Sequence, residues 1–224
     1  MNKKGVVLLS GGLDSLVSIA AARDFCKVEL ALTFDYSQRA LKEEIEASSK
    51  IADFYGIEHK VIKLQFLSEI TNNALVDDCA NLEFKTLDEN SAKAVWVPNR
   101  NGLFLNIAAS FADAKKYDYI IIGANKEEAG TFPDNSEEFL LKADEFFKFS
   151  TMAQPKILAP LKDLGKYEII NLALEKAAPL EFLKSCYNSK EISGKKHCGK
   201  CESCKRLHNA ILKSVNKDLL KLFF

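Results

Sequence analysis

The chain has 224 residues, 47% of them hydrophobic, enough to bury a substantial core and too many for a disordered chain. Basic and acidic residues balance at 31 each, which excludes a global field drawing the protein onto nucleic acid or an anionic membrane. No apolar run approaches the ~20 residues that span a bilayer, and the opening "MNKKGVVLLSGG" ends its short apolar run without a cleavage signal, so a cytoplasmic protein without a membrane or nucleic-acid partner is expected.

The stretch "GVVLLS" (5–10) reads as a fully buried strand and "DSLVSIAAARDF" (14–25) as the helix behind it. "KVELALTF" (27–34) is a second strand, "QRALKEEIEASSKIADFYG" (38–56) a long helix closed by glycine, and "HKVIKL" (59–64) a third strand. A polar, loop-like stretch covers 68–93. Beyond it the pattern predicts a helix over 99–117, a buried strand over 118–124, a helix over 135–150, a short strand over 155–160 and a helix over 165–177. Repeated β-α units imply a doubly wound, mainly parallel α/β sheet of Rossmann-like type. The region 185–204 has almost no apolar periodicity, so something other than a core must hold it together. The expected organisation is an α/β domain over 1–180 with a small module over 181–224 packed on it.

Ligands of such sheets bind beyond the carboxyl ends of the strands, and "SGGLDS" (10–15) falls on the first strand-to-helix junction. Gly11 and Gly12 let the backbone approach a bulky anion, the first N–H groups of the following helix point at the same spot, and Ser10 and Ser15 add hydroxyl donors. Asp14 would repel a phosphate unless Mg²⁺ bridged the two. The same residues also suit a plain turn with an Asp at the helix start.

Six cysteines in a cytoplasmic chain read as metal ligands or buried thiols rather than disulfides. Cys198, Cys201 and Cys204 have CxxCxxC spacing, and Cys186 precedes them by eleven intervening residues. Four thiolates are the set a tetrahedral structural Zn²⁺ prefers, and Lys195, Lys196, Lys200, Lys205 and Arg206 would offset its negative charge. An iron–sulfur cluster or a redox dithiol stays open. His197 and His208 read as bystanders, Cys26 as a buried helix residue and Cys79 as a loop thiol.

The "SGGLDS" stretch resembles the SGGxDS signature of the PP-loop ATP pyrophosphatases, enzymes of adenine nucleotide alpha hydrolase type that adenylate an oxygen and let a nucleophile displace AMP. On that resemblance Ser10, Gly11, Gly12, Asp14 and Ser15 hold pyrophosphate, and Leu8, Leu9, Leu13, Leu16, Val17 and Ser18 shape the ATP site. Together with the cysteine module, the chain resembles the 7-cyano-7-deazaguanine synthase family nearly end to end. "FDYSQR" (34–39) resembles FDYGQR, "NALVDD" (73–78) resembles SALTD, "VPNRN" (97–101) resembles VPGRN, "IIGANKEEAGTFPDNSEEF" (121–139) resembles GVN…YPDCRPEF, and "SCY" (185–187) completes the set.

The resemblance implies a ligase of queuosine biosynthesis. It would activate 7-carboxy-7-deazaguanine with ATP, aminate it with ammonium, then activate the amide and release the nitrile. Asp35, Tyr36, Arg100, Asn101, Asn125 and Asp134 become candidate substrate residues, Asp14, Ser15, Arg100 and Lys166 candidate catalytic ones, and a homodimer is expected. No glutaminase portion is evident, so free ammonium is the expected nitrogen donor. Asn99 stands where the family has glycine and Asn135 where it has cysteine, which leaves open another PP-loop activity: tRNA thiolation or amide formation on a different carboxylate. A third alternative is a non-enzymatic zinc module that binds a partner through "KKHCGKCESCKR".

Overall fold

The computed structural model describes residues 2–77, 83, 93–188 and 197–224. Asp78, Cys79, Lys195 and Lys196, named above, lie outside the described residues. The elements run β1 (Lys4–Leu8), α1 (Leu13–Ala22), β2 (Lys27–Asp35), α2 (Leu41–Tyr55), β3 (Glu58–Lys63), α3 (Phe66–Glu69), α4 (Arg100–Lys115), β4 (Tyr119–Ile121), α5 (Lys126–Ala129), α6 (Glu137–Ser150), β5 (Lys156–Leu158), α7 (Lys166–Glu175), α8 (Glu202–Lys213) and α9 (Leu219–Phe223). The sheet has the order β3-β2-β1-β4-β5 and every pairing is parallel, as the alternation of strand and helix requires. β1 lies between β2 and β4, so the strand order reverses at β1, where open α/β sheets leave a crevice.

Strand residues alternate between two cores. Val7, Ala31 and Ile121 face one side, where α1, α2 and α7 deliver Leu16, Ile51 and Ile169. Val6, Leu8, Leu30, Leu32 and Ile120 face the other, closed by Leu105, Ala108 and Ala112 of α4 and Leu140 and Phe147 of α6. Burial on both faces explains why β1 reads as an unbroken apolar run. Gly56 closes α2 in the left-handed conformation, φ +66°, matching the expectation that a glycine ends this helix.

One local reading changes. Cys26 is buried, but in the turn ahead of β2 rather than in a helix: α1 stops at Ala22, whose carbonyl takes the N–H groups of Phe25 and Cys26. The segment after the cysteines is helical, and α8 places Leu207, Ala210 and Ile211 in the core shared by β1 and α1. No described helix is long and apolar enough to cross a membrane.

Ser37 and Asn99 occupy the two positions where the resembled motifs carry glycine, and both keep left-handed backbone, with φ of 60° and 52°. Serine tolerates that region less well than asparagine. Ser37→Gly is therefore expected to stabilise the fold by about 1 kcal/mol, strain relief outweighing the entropy gained by the unfolded chain. Urea unfolding would measure this, and a lower midpoint would show that the Ser37 backbone is not strained.

Candidate active site

The cradle forms as β1 gives way to α1. Gly11 adopts φ +76°, and a Cβ there would come within 2.7 Å of Ala47 Cβ, so the residue must be glycine for both reasons. The loop is tied to itself: Ser15 Oγ donates to Gly12 O at 3.0 Å, Ser10 N–H donates to Ser15 Oγ at 3.2 Å, and Gly12 N–H donates to Ser10 Oγ at 3.4 Å. It is anchored from outside as well. Thr33 Oγ1 and Ser48 Oγ donate to Leu9 O at 2.6 and 3.2 Å, and Lys184 N–H donates to Gly11 O at 2.9 Å. Gly12 caps α1 with no side chain, which leaves the N–H groups of the first turn aimed out of the helix at any anion held above them. Gly123 lets β4 pass close by: a Cβ on it would meet the backbone carbon of Asp14 at 3.0 Å.

Above the cradle lies a cavity of about 240 Å³. Its floor is Ser10, Gly12, Asp14 and Ser15, and its walls come from Tyr36, Glu44, Arg100, Asn101, Lys166, Lys184 and Tyr187. Phe34 and Phe104 stack face to face at 3.9 Å and give one side an apolar wall. A smaller recess of about 50 Å³ shares Arg100, Glu128 and Tyr187 with the cavity and adds Trp96, Phe132 and Asp134. The Trp96 and Phe132 rings there are parallel within 8°.

The charges are arranged around one lysine. Lys166 Nζ lies 2.5 Å from Asp14 Oδ2 and 2.6 Å from Glu128 Oε1, and its side chain is only 10% exposed. Burial opposes the lysine's charge, but the two carboxylates outweigh it and hold its pKa above the ordinary value. Burial pushes Asp14 up to about 6, against the pull of Lys166 and with help from the Glu128 charge. Glu128 is held below the usual carboxylate range because Lys166 outweighs burial there. Asp14 Oδ1 is buried and has no hydrogen-bond partner among the described residues. An uncommitted carboxylate oxygen beside a phosphate cradle is a hard ligand suited to Mg²⁺.

Arg100 sits at the start of α4, where its Nη1 donates to Tyr36 Oη at 3.5 Å. Burial works against its charge, but Tyr36, Tyr187 and Asp134 more than offset it. Asp134 Oδ2 accepts the Asn101 N–H at 3.3 Å, and Asn101 Nδ2 donates to Asp134 O at 3.2 Å, so "NRN" and "FPDN" dock on each other.

The structure thus brings Leu8, Leu9, Ser10, Gly12, Leu13, Asp14, Ser15, Tyr36, Arg100, Asn101 and Lys166 to one cavity, with Asp134 in the adjoining recess. Leu16, Val17 and Ser18 lie behind it, buried in α1. Asp35 and Asn125 do not line it. Asp35 accepts the Ser37 N–H at 3.0 Å and thereby shapes the turn leading to Gln38. Asn125 accepts the Glu128 N–H at 3.0 Å, capping α5, the short helix that carries Glu128. Sequence reasoning missed Glu44, Glu128 and Tyr187 as cavity residues. Glu128 and Tyr187 stand inside quoted motifs, "GANKEEAG" and "SCY", and Glu44 opens the helix that follows "FDYSQR".

The cysteine cluster borders the same cavity. The Sγ atoms of Cys186, Cys198, Cys201 and Cys204 lie within 4.8 Å of one another. Cys198 Sγ accepts the N–H groups of Lys200 and Cys201 at 3.3 Å, and the neighbouring thiols with these donors lower its pKa well below that of a free thiol. His197 is engaged elsewhere: its Nε2 accepts the Ser185 N–H at 3.1 Å and its ring meets Phe223 edge-on.

Residues 4–215 match the family model described as "Queuosine biosynthesis protein QueC". The chain belongs to the QueC family. It is 49% identical to the 7-cyano-7-deazaguanine synthase of Methanosarcina mazei over 97% of each chain, and 44% identical to that of Pelotomaculum thermopropionicum over 92% of this chain and 96% of the relative. Among solved structures an NMN synthetase from Francisella tularensis superposes with a TM-score of 0.51 at 16% identity, over 99% of this chain and 82% of that one, a likeness of fold alone. The QueC match spans both the cradle and the cysteine cluster.

Proposed function

We propose that this chain is an ATP-dependent carbon–nitrogen ligase that converts 7-carboxy-7-deazaguanine and ammonia to 7-cyano-7-deazaguanine for queuosine biosynthesis. The observation that carries the reading is that a phosphate cradle opens onto a cavity lined by Arg100 and adjoined by a recess lined by Asp134, in a chain whose relatives bear that name. The cradle's N–H groups and the Ser10 and Ser15 hydroxyls hold the pyrophosphate part of ATP. Arg100 grips the substrate carboxylate and aims it at the α-phosphorus. Asp134 accepts hydrogen bonds from the amino-pyrimidinone edge, with Trp96 and Phe132 flanking the ring. Tyr36 and Asn101 hold Arg100 and Asp134 in place, and Asn125 does the same for Glu128.

Attack by the carboxylate releases pyrophosphate and leaves an acyl adenylate, from which ammonia displaces AMP to give the amide. The amide oxygen then attacks a second ATP, and loss of AMP leaves the nitrile. Lys166 supplies positive charge beside the reacting phosphate and keeps Asp14 and Glu128 from repelling it. Mg²⁺ bound to Asp14 Oδ1 would neutralise the phosphate oxygens. Zn²⁺ held by Cys186, Cys198, Cys201 and Cys204 would act structurally, since four thiolates close its coordination sphere. A cytoplasmic location and a homodimer belong to the same reading, on the family resemblance.

The test is to incubate the purified protein with ATP, Mg²⁺, ammonium and 7-carboxy-7-deazaguanine and to follow nitrile and AMP by mass spectrometry. Nitrile with two AMP per turnover is the expected result. No nitrile, with an amide or thiolated tRNA formed from other substrates, would move the chain to another PP-loop activity.

A further inference from the structure

Four carboxylates line the cavity among the described residues: Asp14, Glu44, Glu128 and Glu202. Asp14 and Glu128 share Lys166, and Glu202 is paired with Arg206. Glu44 is held differently. Its Oε2 accepts from Gln38 Nε2 at 2.7 Å, and Gln38 is itself fixed by Phe34 O at 2.9 Å and by the Tyr36 N–H at 3.0 Å. A rigid neutral amide therefore orients this carboxylate without cancelling its charge. The turn carrying Glu44 also abuts the cradle, since a Cβ on Gly11 would meet Glu44 O at 3.2 Å.

We propose that Glu44 is the catalytic base of amination, taking a proton from the ammonium nitrogen before attack and from the activated amide as the nitrile forms. This inference rests on the ligase reading above. In the first half-reaction an N–H bond of ammonium breaks and its proton passes to Glu44. The freed lone pair then forms the C–N bond while the C–O bond to AMP breaks, its electron pair leaves on the phosphate oxygen, and the surplus nitrogen proton goes to solvent. In the second half-reaction one N–H proton of the O-adenylated amide passes to Glu44 and the other to solvent. The N–H electrons complete the triple bond as AMP departs with the C–O pair.

The surroundings suit a group that exchanges protons at neutral pH. Burial pushes Glu44 up to about 7, the Gln38 hydrogen bond and the Arg100 charge pull it down, and Glu43 raises it. Tyr36 and Lys184 line the same cavity. The ordinary alternative is that Glu44 only braces Gln38.

Glu44→Gln separates the two. Carboxylate-dependent exchange of pyrophosphate into ATP reads adenylation alone, ammonium-dependent nitrile formation reads the base, and hydroxylamine, already neutral at neutral pH, reads attack without a base. Nitrile formation is expected to fall about 10²–10³-fold, with exchange and hydroxamate formation falling far less. The wild-type rate with ammonium should show an inflection near pH 7 as Glu44 loses its proton, whereas the variant should rise only in step with free ammonia and lack that inflection. Glu44→Asp, which keeps a carboxylate, should retain more nitrile formation than the Gln variant. Equal losses in exchange, hydroxamate and nitrile, or undiminished nitrile formation, would overturn the assignment of the base. Absence of carboxylate-dependent exchange in the wild-type protein would sink the ligase reading instead.

Discussion

Asp14→Asn is expected to lower nitrile formation by about 10²–10³-fold or more, the scale on which removing one electrostatic stabiliser at a reacting centre is felt, while leaving the fold intact. The fold survives because the triad is over-supplied with negative charge. One lysine faces two carboxylates, so removing the Asp14 charge leaves Lys166 balanced by Glu128 at 2.6 Å. Lys166→Met does the opposite: it leaves two partly buried carboxylates facing each other without their cation and should destabilise the protein by about 1–3 kcal/mol. Adding Asp14→Asn to Lys166→Met should recover part of that loss, because the two residues share one interaction. Thermal unfolding of the three variants, set against pyrophosphate release, checks both halves. An Asp14→Asn enzyme with near wild-type turnover would remove Asp14 from the phosphate chemistry.

Cys201→Ser should cost more than about 4 kcal/mol, a size reserved for changes such as loss of a metal, and should lower the unfolding midpoint by roughly 10 °C for a chain of this size. Cys201 is fully buried and caps α8, the helix that sends Leu207 and Ile211 into the main core. Losing one thiolate therefore loosens both the cluster and the helix it starts. The damage should reach the nucleotide site, because Cys186 follows Ser185, a cavity residue, and Lys184, whose N–H holds the Gly11 carbonyl. Zinc content by elemental analysis, unfolding midpoint and ATP affinity should fall together. Full loss of zinc with an unchanged midpoint would show that the metal does not hold this region.

Much of this site was legible in the sequence wherever the signal is local. The apolar run before Gly11, the helix after it and the cysteine spacing each announce a device confined to a few residues. What was not legible depends on distance. Asp14 and Lys166 lie 152 residues apart and meet only because α1 and α7 pack on the same face of the sheet. Glu44 reads as an ordinary acidic residue in the first turn of a helix until the fold places that turn against the cradle. Asp35 and Asn125, candidate substrate residues on the resemblance, lie outside the cavity lining, where Asp35 Oδ1 accepts the Ser37 N–H and Asn125 Oδ1 the Glu128 N–H.

The cradle sits on a seam between early and late parts of the chain. β1 pairs with β4 through Gly5 and Tyr119, and the loop is then latched from residue 184. A ribosome must therefore release most of this polypeptide before the triphosphate pocket can exist, and contacts so distant along the chain form slowly. Completion of the cradle is therefore a late event in folding. In a refolding experiment nucleotide binding should appear with the slowest phase, and its appearance alongside the first helical signal would refute this order.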